Sequence, residues 1–258
     1  MPKTQSAHAE ELRTQGYTIV PDVLDRAQLD ATNAALEELF ERERELGPKR
    51  GWHNKTYKVA YLLPQKHALF RSFGLNPLVL PLMRLLLGEN CVLASINGLT
   101  MTPGGTTQEL HIDQNETIPG AVLYINALHC LDDFTRENGC TRVVPGSQDR
   151  MWIRGKMDQA AIEKEAVYLE APAGSLIAYN GGLWHAGSAN KTDKPRRAIH
   201  SFYSRPWVRP QWDYVKSLSP EVLASMTVEQ RRLFGFYAQA GYYDYTTDDV
   251  VRLREPEA

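Results

Sequence analysis

Val92-Leu93-Ala94-Ser95-Ile96-Asn97-Gly98-Leu99-Thr100-Met101 reads as a strand, and Pro103-Gly104-Gly105 stops it. The pattern recurs downstream. Ala121 to Cys130 is rich in β-branched and aromatic residues, and shorter runs fit strands at Val167 to Leu169, Ser175 to Tyr179 and Arg196 to Tyr203. Turn pairs separate them: Asn138-Gly139, Pro145-Gly146, Ala173-Gly174 and Gly181-Gly182. Short strands at fairly regular spacing predict a β-sandwich or barrel.

Upstream of Gly88 the character is helical. Glu10 to Gln15 predicts a short helix stopped by Gly16, followed by a strand at Tyr17 to Val20. Asp25 is placed to cap a long helix in which Leu29, Leu36, Leu39 and Phe40 keep helical spacing. Its charged later part, Glu37 to Glu45, reads as a solvated face, and Gly47-Pro48 ends it. Pro77 to Leu87 predicts a buried helix closed by Gly88. From Pro210 the chain turns helical and irregular again, with Pro220 at a helix start. No repeat or linker divides it. The expectation is one domain over 1–258, with a helical part over 1–90, a β core over 91–208 and a helical tail over 209–258.

The 258 residues are enough for one sizeable core. The 29 basic and 31 acidic residues leave a net charge of −2, which argues against an electrostatic grip on nucleic acid or a membrane surface. Cys91, Cys130 and Cys140 are odd in number and form no C-x-x-C pair, which argues against a disulfide scaffold and fits a reducing compartment. The start lacks an apolar leader, and the Pro77 to Leu87 run, which contains Arg84, is far shorter than the ~20 residues of a membrane span. A cytoplasmic protein, as monomer or homodimer, is expected.

No dinucleotide-binding glycine motif, phosphate-binding loop, H-E-x-x-H or G-x-S-x-G is present. What remains is a set of His, Asp and Arg residues on strand-like segments. In His111-Ile112-Asp113, an imidazole and a carboxylate two residues apart project from one strand face. With a distant second histidine they would cover one face of an Fe(II) octahedron and leave the other open. His129, His185 and His200 are the choices for it, since His8, His53 and His67 lie in the helical half and read as surface or packing residues. Arg196 favours His185: it follows at a spacing that allows a strand end, a turn and the neighbouring strand, and a guanidinium there can clamp a dicarboxylate. His200 shares a strand face with Arg196, so it either lines the same cavity or is a hydrogen-bonded core histidine. Arg197 points the other way and is the alternative clamp.

These residues carry a family resemblance over about residues 11–205. Gly16-Tyr17-Thr18-Ile19-Val20-Pro21-Asp22-Val23-Leu24 resembles the opening of the phytanoyl-CoA dioxygenase-like branch of Fe(II)/2-oxoglutarate oxygenases. Gln108-Glu109-Leu110-His111-Ile112-Asp113 resembles its ligand segment, and Asn138-Gly139-Cys140-Thr141-Arg142-Val143-Val144-Pro145-Gly146-Ser147 its most specific motif. Trp184-His185-Ala186-Gly187-Ser188-Ala189-Asn190 with Lys194-Pro195-Arg196-Arg197 resembles its distal histidine and 2-oxoglutarate arginine. Gln148 stands where the family usually has His.

The resemblance implies a mainly β, jelly-roll (cupin-like, double-stranded β-helix) fold with flanking helices. It implies His111, Asp113 and His185 as Fe(II) ligands and Arg196 as the partner of the 2-oxoglutarate C5 carboxylate, with Gln108 and Thr141 near its C1 end. Lys55 and Lys58, in Asn54-Lys55-Thr56-Tyr57-Lys58, resemble a basic stretch that reaches the co-substrate in some members. The implied reaction consumes O2 and 2-oxoglutarate, releases succinate and CO2, and oxidises a C–H bond of a small, secondary-metabolite substrate. Asp113, where halogenating relatives carry Gly or Ala, implies oxygenation. A cupin-like binding protein without catalysis and a zinc hydrolase with the same ligands are the rival readings. Trp52, Tyr57, Tyr61, Phe70, Trp152, Trp207 and Trp212 are candidates for an apolar pocket.

Overall fold

The structure, a computed structural model, describes residues 3–114, 116–236, 242–244 and 246–251. Helix α1 (Gln5–Thr14) starts ahead of the expected Glu10 because the Thr4 side chain accepts the Ala7 N–H and caps it there. It packs on strand β1 (Tyr17–Val20) and on the apolar helix Leu80–Leu87. Helix α2 (Arg26–Arg42) opens on a capping box: the Asp25 carboxylate accepts the Gln28 N–H, and the Gln28 side chain accepts the Asp25 N–H. The residues at helical spacing, Leu29, Leu36, Leu39 and Phe40, are its buried stripe, together with Thr32 and Ala35.

Strands β2 (Tyr57–Ala60), β3 (Val92–Met101), β4 (Tyr124–Cys130), β7 (Leu176–Asn180) and β9 (Arg196–Ser204) join β1 in a six-stranded sheet of order β1-β7-β4-β9-β3-β2. Strands β5 (Thr141–Val143), β6 (Val167–Leu169) and β8 (His185–Gly187) form a second sheet of order β6-β5-β8. Every pairing in the two sheets is antiparallel.

Strand alternation assigns the two faces of the large sheet. Ile96, Ile125, Ala127, Ala178 and Ile199 pack under the helices, with Leu36, Leu39, Leu82 and Met83. Leu128, Cys130, Ile177, Tyr179 and Ala198 face the other way and meet Val143 and Leu169 of the small sheet, with Phe134. Two antiparallel sheets about a packed interior, with helices outside, form the jelly-roll architecture expected. Among the described residues no helix is long and apolar enough to cross a membrane.

Strand β2 was not legible beforehand. It is four residues long, lies at the sheet edge and follows a polar segment, so its pattern is too short to stand out. The expected strand from Ala121 begins at Tyr124, and the expected helix from Pro77 begins at Leu80.

Candidate active site

His111 lies in no ladder strand; it forms a single bridge with His185 of β8. Asp113 follows in a bend whose backbone is held from outside: the N–H groups of Asp113 and Gln114 both donate to the Gly181 carbonyl, at 3.1 and 3.3 Å. The Gly181-Gly182 turn therefore fixes the loop that carries the carboxylate. His111, Asp113 and His185 each offer one ligand atom, and these atoms lie within 4.8 Å of one another.

The side chains are oriented from behind. His111 Nδ1 is 2.9 Å from the Glu109 carbonyl, and His185 Nδ1 is 2.9 Å from the Leu183 carbonyl. A carbonyl only accepts, so both Nδ1 atoms carry hydrogen and both Nε2 atoms are turned toward Asp113 as the ligand positions. His111 Nε2 lies 3.8 Å from Asp113 Oδ1, and His185 Nε2 lies 3.4 Å from Asp113 Oδ2. Burial drives His185 down to about 4 against the pull of Asp113, so its ring is neutral at pH 7. Burial disfavours the Asp113 charge, but His185, His200, His111 and a hydrogen bond from Asn126 Nδ2 at 2.7 Å together hold its carboxyl below the ordinary range. Two imidazoles and a carboxylate converging on one point are a donor set suited to a divalent transition metal.

Arg196 enters the same interior from β9. Its Nη2 donates to the Gly139 carbonyl at 3.0 Å, and its guanidinium lies 4.1 Å from the Phe134 ring centroid. Nε and Nη1 are sealed from solvent and meet no protein acceptor. Burial pushes this guanidinium down to about 10, which leaves it charged at neutral pH. A buried cation with two unused donors fits a carboxylate, whose two oxygens match the guanidinium fork. Arg197, the alternative clamp, is already engaged: Nε and Nη2 bind the Asp132 carboxylate at 3.0 and 2.7 Å, and Nη1 lies 3.2 Å from Glu37.

Thr141 faces the interior beside Val143, opposite Gly187 in the small sheet, and its hydroxyl makes no hydrogen bond. Gln108 sits across Gly187, whose N–H donates to Gln108 Oε1 at 2.9 Å. A Cβ on Gly187 would come within 3.0 Å of that oxygen, so glycine leaves room for the Gln108 side chain there. Buried Arg142 draws the segment together, donating to the carbonyls of Gly187 and Gln108 at 2.8 and 2.6 Å and pairing with Glu163. Lys55 and Lys58 are exposed. Lys58 alternates with Tyr57 and Val59 and points away from the interior, so it is Tyr57 that faces Met101 and, beyond it, Arg196.

The aromatic candidates separate. Phe70 is fully buried in the helical core, Trp207 is exposed, and Trp152 stacks edge-on to Trp184. Trp52, Tyr61 and Trp212 form an edge-to-face series, with Trp212 Nε1 donating to Asn97 Oδ1. Asn97 is the register partner of His200. Gln148 donates to the carbonyls of Arg13 and Thr14 and ties the loop to α1. Asn126 is the residue that sequence reading missed: an asparagine in a strand-like run carries no motif, and its role appears only when β4 sets it against the Asp113 loop.

The sequence pattern of the phytanoyl-CoA dioxygenase (PhyH) family matches residues 12–198. The chain belongs to the phytanoyl-CoA dioxygenase family. Among its relatives is Rv1501, an uncharacterised protein of Mycobacterium tuberculosis that is 31% identical over 238 residues, covering 89% of this chain and 86% of that one. The dioxygenase af480 of Aspergillus fumigatus is 28% identical over 240 residues, covering 90% and 76%. Of solved structures, the non-heme alpha-ketoglutarate-dependent carbocyclase SnoK from nogalamycin biosynthesis aligns with a TM-score of 0.67 at 24% identity, covering 85% of this chain and 94% of that one. Membership in this family places the chain among the Fe(II)/2-oxoglutarate-dependent dioxygenases.

Proposed function

We propose that the protein hydroxylates a C–H bond of a small secondary metabolite, with His111, Asp113 and His185 holding Fe(II) and Arg196 holding the C5 carboxylate of 2-oxoglutarate. The observation that carries this reading is the convergence of two carbonyl-pinned histidines on one carboxylate, in an interior that also contains an arginine with unused buried donors. Bound Fe(II), with 2-oxoglutarate and O2, supplies the oxidant that breaks the C–H bond as succinate and CO2 form.

The chain's own residues do the positioning. Glu109 and Leu183 carbonyls hold the Nδ1 side of each ring and present Nε2 to the metal position. Asn126 anchors one Asp113 oxygen. Arg196 fixes one end of the co-substrate, and Thr141 and Gln108, both beside Gly187, offer a hydroxyl and an amide for its other carboxylate. With Asp113 as a protein ligand, no open place is left there for halide, which supports oxygen transfer rather than halogenation.

The test is turnover of the purified protein with Fe(II), 2-oxoglutarate and O2 against a panel of secondary metabolites, following succinate and product mass together. The product should gain one oxygen per succinate, and His185→Ala should stop both. A chlorinated product, or turnover independent of 2-oxoglutarate, overturns the reading.

A further inference from the structure

His200 carries no role in the reading above, yet its hydrogen bonding is fully determined. It lies on the inward face of β9 with Arg196 and Ala198, in register with Leu128 on one side and Asn97 on the other. Its Nε2 is 2.7 Å from Asn126 Oδ1, and Asn126 Nδ2 is 2.7 Å from Asp113 Oδ2. The chain of three has one consistent proton arrangement. The Asp113 carboxylate only accepts, so the amide NH2 of Asn126 must face it. The Asn126 oxygen, turned to His200, also only accepts, so His200 Nε2 carries the hydrogen. In a neutral imidazole the other nitrogen, Nδ1, is then a bare acceptor.

Nδ1 hydrogen-bonds no protein group, and it is not among the unpartnered nitrogens that are sealed from solvent. His129, one strand away, has both nitrogens sealed and unpartnered. His200 is only half-buried, whereas Asn126 behind it is fully buried. Its free edge therefore stays accessible on the sheet face that also carries Asn126 and Arg196. Phe202, two residues on along the same strand face, stacks with Tyr124 at 4.7 Å between centroids.

We propose that His200 is the substrate-orienting residue of this site: Nδ1 accepts a hydrogen bond from a hydroxyl or N–H donor of the molecule to be oxidised, while Nε2–H acts through Asn126 to hold Asp113. The inference rests on the metal-centre reading above and narrows its substrate class. The substrate carries an alcohol, phenol or amide N–H close to the carbon oxidised, on an apolar body that meets the Tyr124–Phe202 wall. A carboxylate or ether oxygen at that position would set acceptor against acceptor. One imidazole thus links substrate placement to the geometry of a metal ligand.

The experiment has two independent readouts. Cobalt(II) titration of the wild type and of His185→Ala, followed by visible absorption, tests the metal centre alone. Partners behind a ligand typically contribute 10–100-fold in metal affinity, so cobalt binding should weaken about tenfold or more in Asn126→Leu and His200→Phe. It should recover in His200→Gln, whose amide can still donate to Asn126. Long-range 1H–15N spectra of the 15N-histidine-labelled, zinc-loaded protein report the His200 tautomer, with the resonance assigned by its loss in His200→Gln. Nε2–H is expected, with millimolar phenol shifting the Nδ1 resonance and millimolar anisole leaving it in place. An Nδ1–H tautomer, a phenol-insensitive Nδ1, or equal response to anisole overturns the proposal. Failure of the wild type to bind cobalt would instead overturn the metal reading, and the tautomer and phenol measurements still run on the metal-free protein.

Discussion

The backbones of His111 and His185 hydrogen-bond in both directions, the His111 N–H to the His185 carbonyl at 3.0 Å and the His185 N–H to the His111 carbonyl at 2.9 Å. Their rings lie 4.5 Å apart between centroids. The relative position of the two imidazoles is therefore set by main-chain bonds that no side-chain substitution removes.

It follows that a ring can be deleted without losing the bridge. His185→Ala and His111→Ala should each fold, with an unchanged far-ultraviolet circular dichroism spectrum, and lose at least ~100-fold in Fe(II) or cobalt(II) affinity, beyond the loss seen when only a supporting partner is removed. Undiminished metal binding in His185→Ala would remove it from the ligand set.

The two adjacent arginines should behave differently. Arg196→Leu removes the buried cation with unused donors, and truncating one partner of a buried charge pair costs about 2–5 kcal/mol. The affinity for 2-oxoglutarate, measured by anaerobic calorimetry on the iron-loaded protein, should fall about 100-fold or more. Arg197→Leu breaks contacts to Asp132 and Glu37 on the other face and should change that affinity little. The reverse outcome would exchange their roles.

Gly139 has φ +87°, and a Cβ there would lie 2.7 Å from the Ser188 carbonyl oxygen. Gly139→Ala should therefore cost about 1–3 kcal/mol, read from urea unfolding. Because the Gly139 carbonyl accepts from Arg196, 2-oxoglutarate affinity should drop as well. A stable variant with intact co-substrate binding would show that this turn relaxes freely.

His129 gives the fold an acid sensitivity. Burial drives its ring from 6.5 to about 4 in the folded protein. The unfolded chain takes up the proton below about pH 6.5 and the folded chain does not until about pH 4, so stability falls as pH drops through that window. Between pH 7 and pH 5 this contributes about 2 kcal/mol of loss. His129→Leu should flatten that part of the profile of urea midpoints, and an unaltered slope would mean that His129 is solvated.

The sequence made the helix–strand order, the interior-facing strands and the His-Asp-His-Arg set readable because each rests on local signals: periodicity, caps, turn glycines and motif spacing. Asp25 and Leu36 do in the structure what their spacing says. The supporting residues are different. Asn126, Arg142 and Gly181 act on segments far from them in sequence, and nothing local marks them. The His111 segment was expected as a strand, and its i and i+2 side chains do converge, but Asp113 is aimed by the Gly181 carbonyl in a bend rather than by a ladder. Likewise Lys55 and Lys58 matched a basic pattern, while the alternation that turns Lys58 outward and Tyr57 inward depends on pairing with β3.

The His111–His185 bridge also fixes an order of events. One partner lies before β4 and the other after β7, so the bridge closes a long loop, and closing long loops is slow and late in folding. A chain emerging from synthesis can hold the Asp113 segment for some time before β8 exists to receive it. On the proposed ligand set, metal loading would then wait for the completed chain, because a truncated product that stops before residue 185 lacks one of the three ligands.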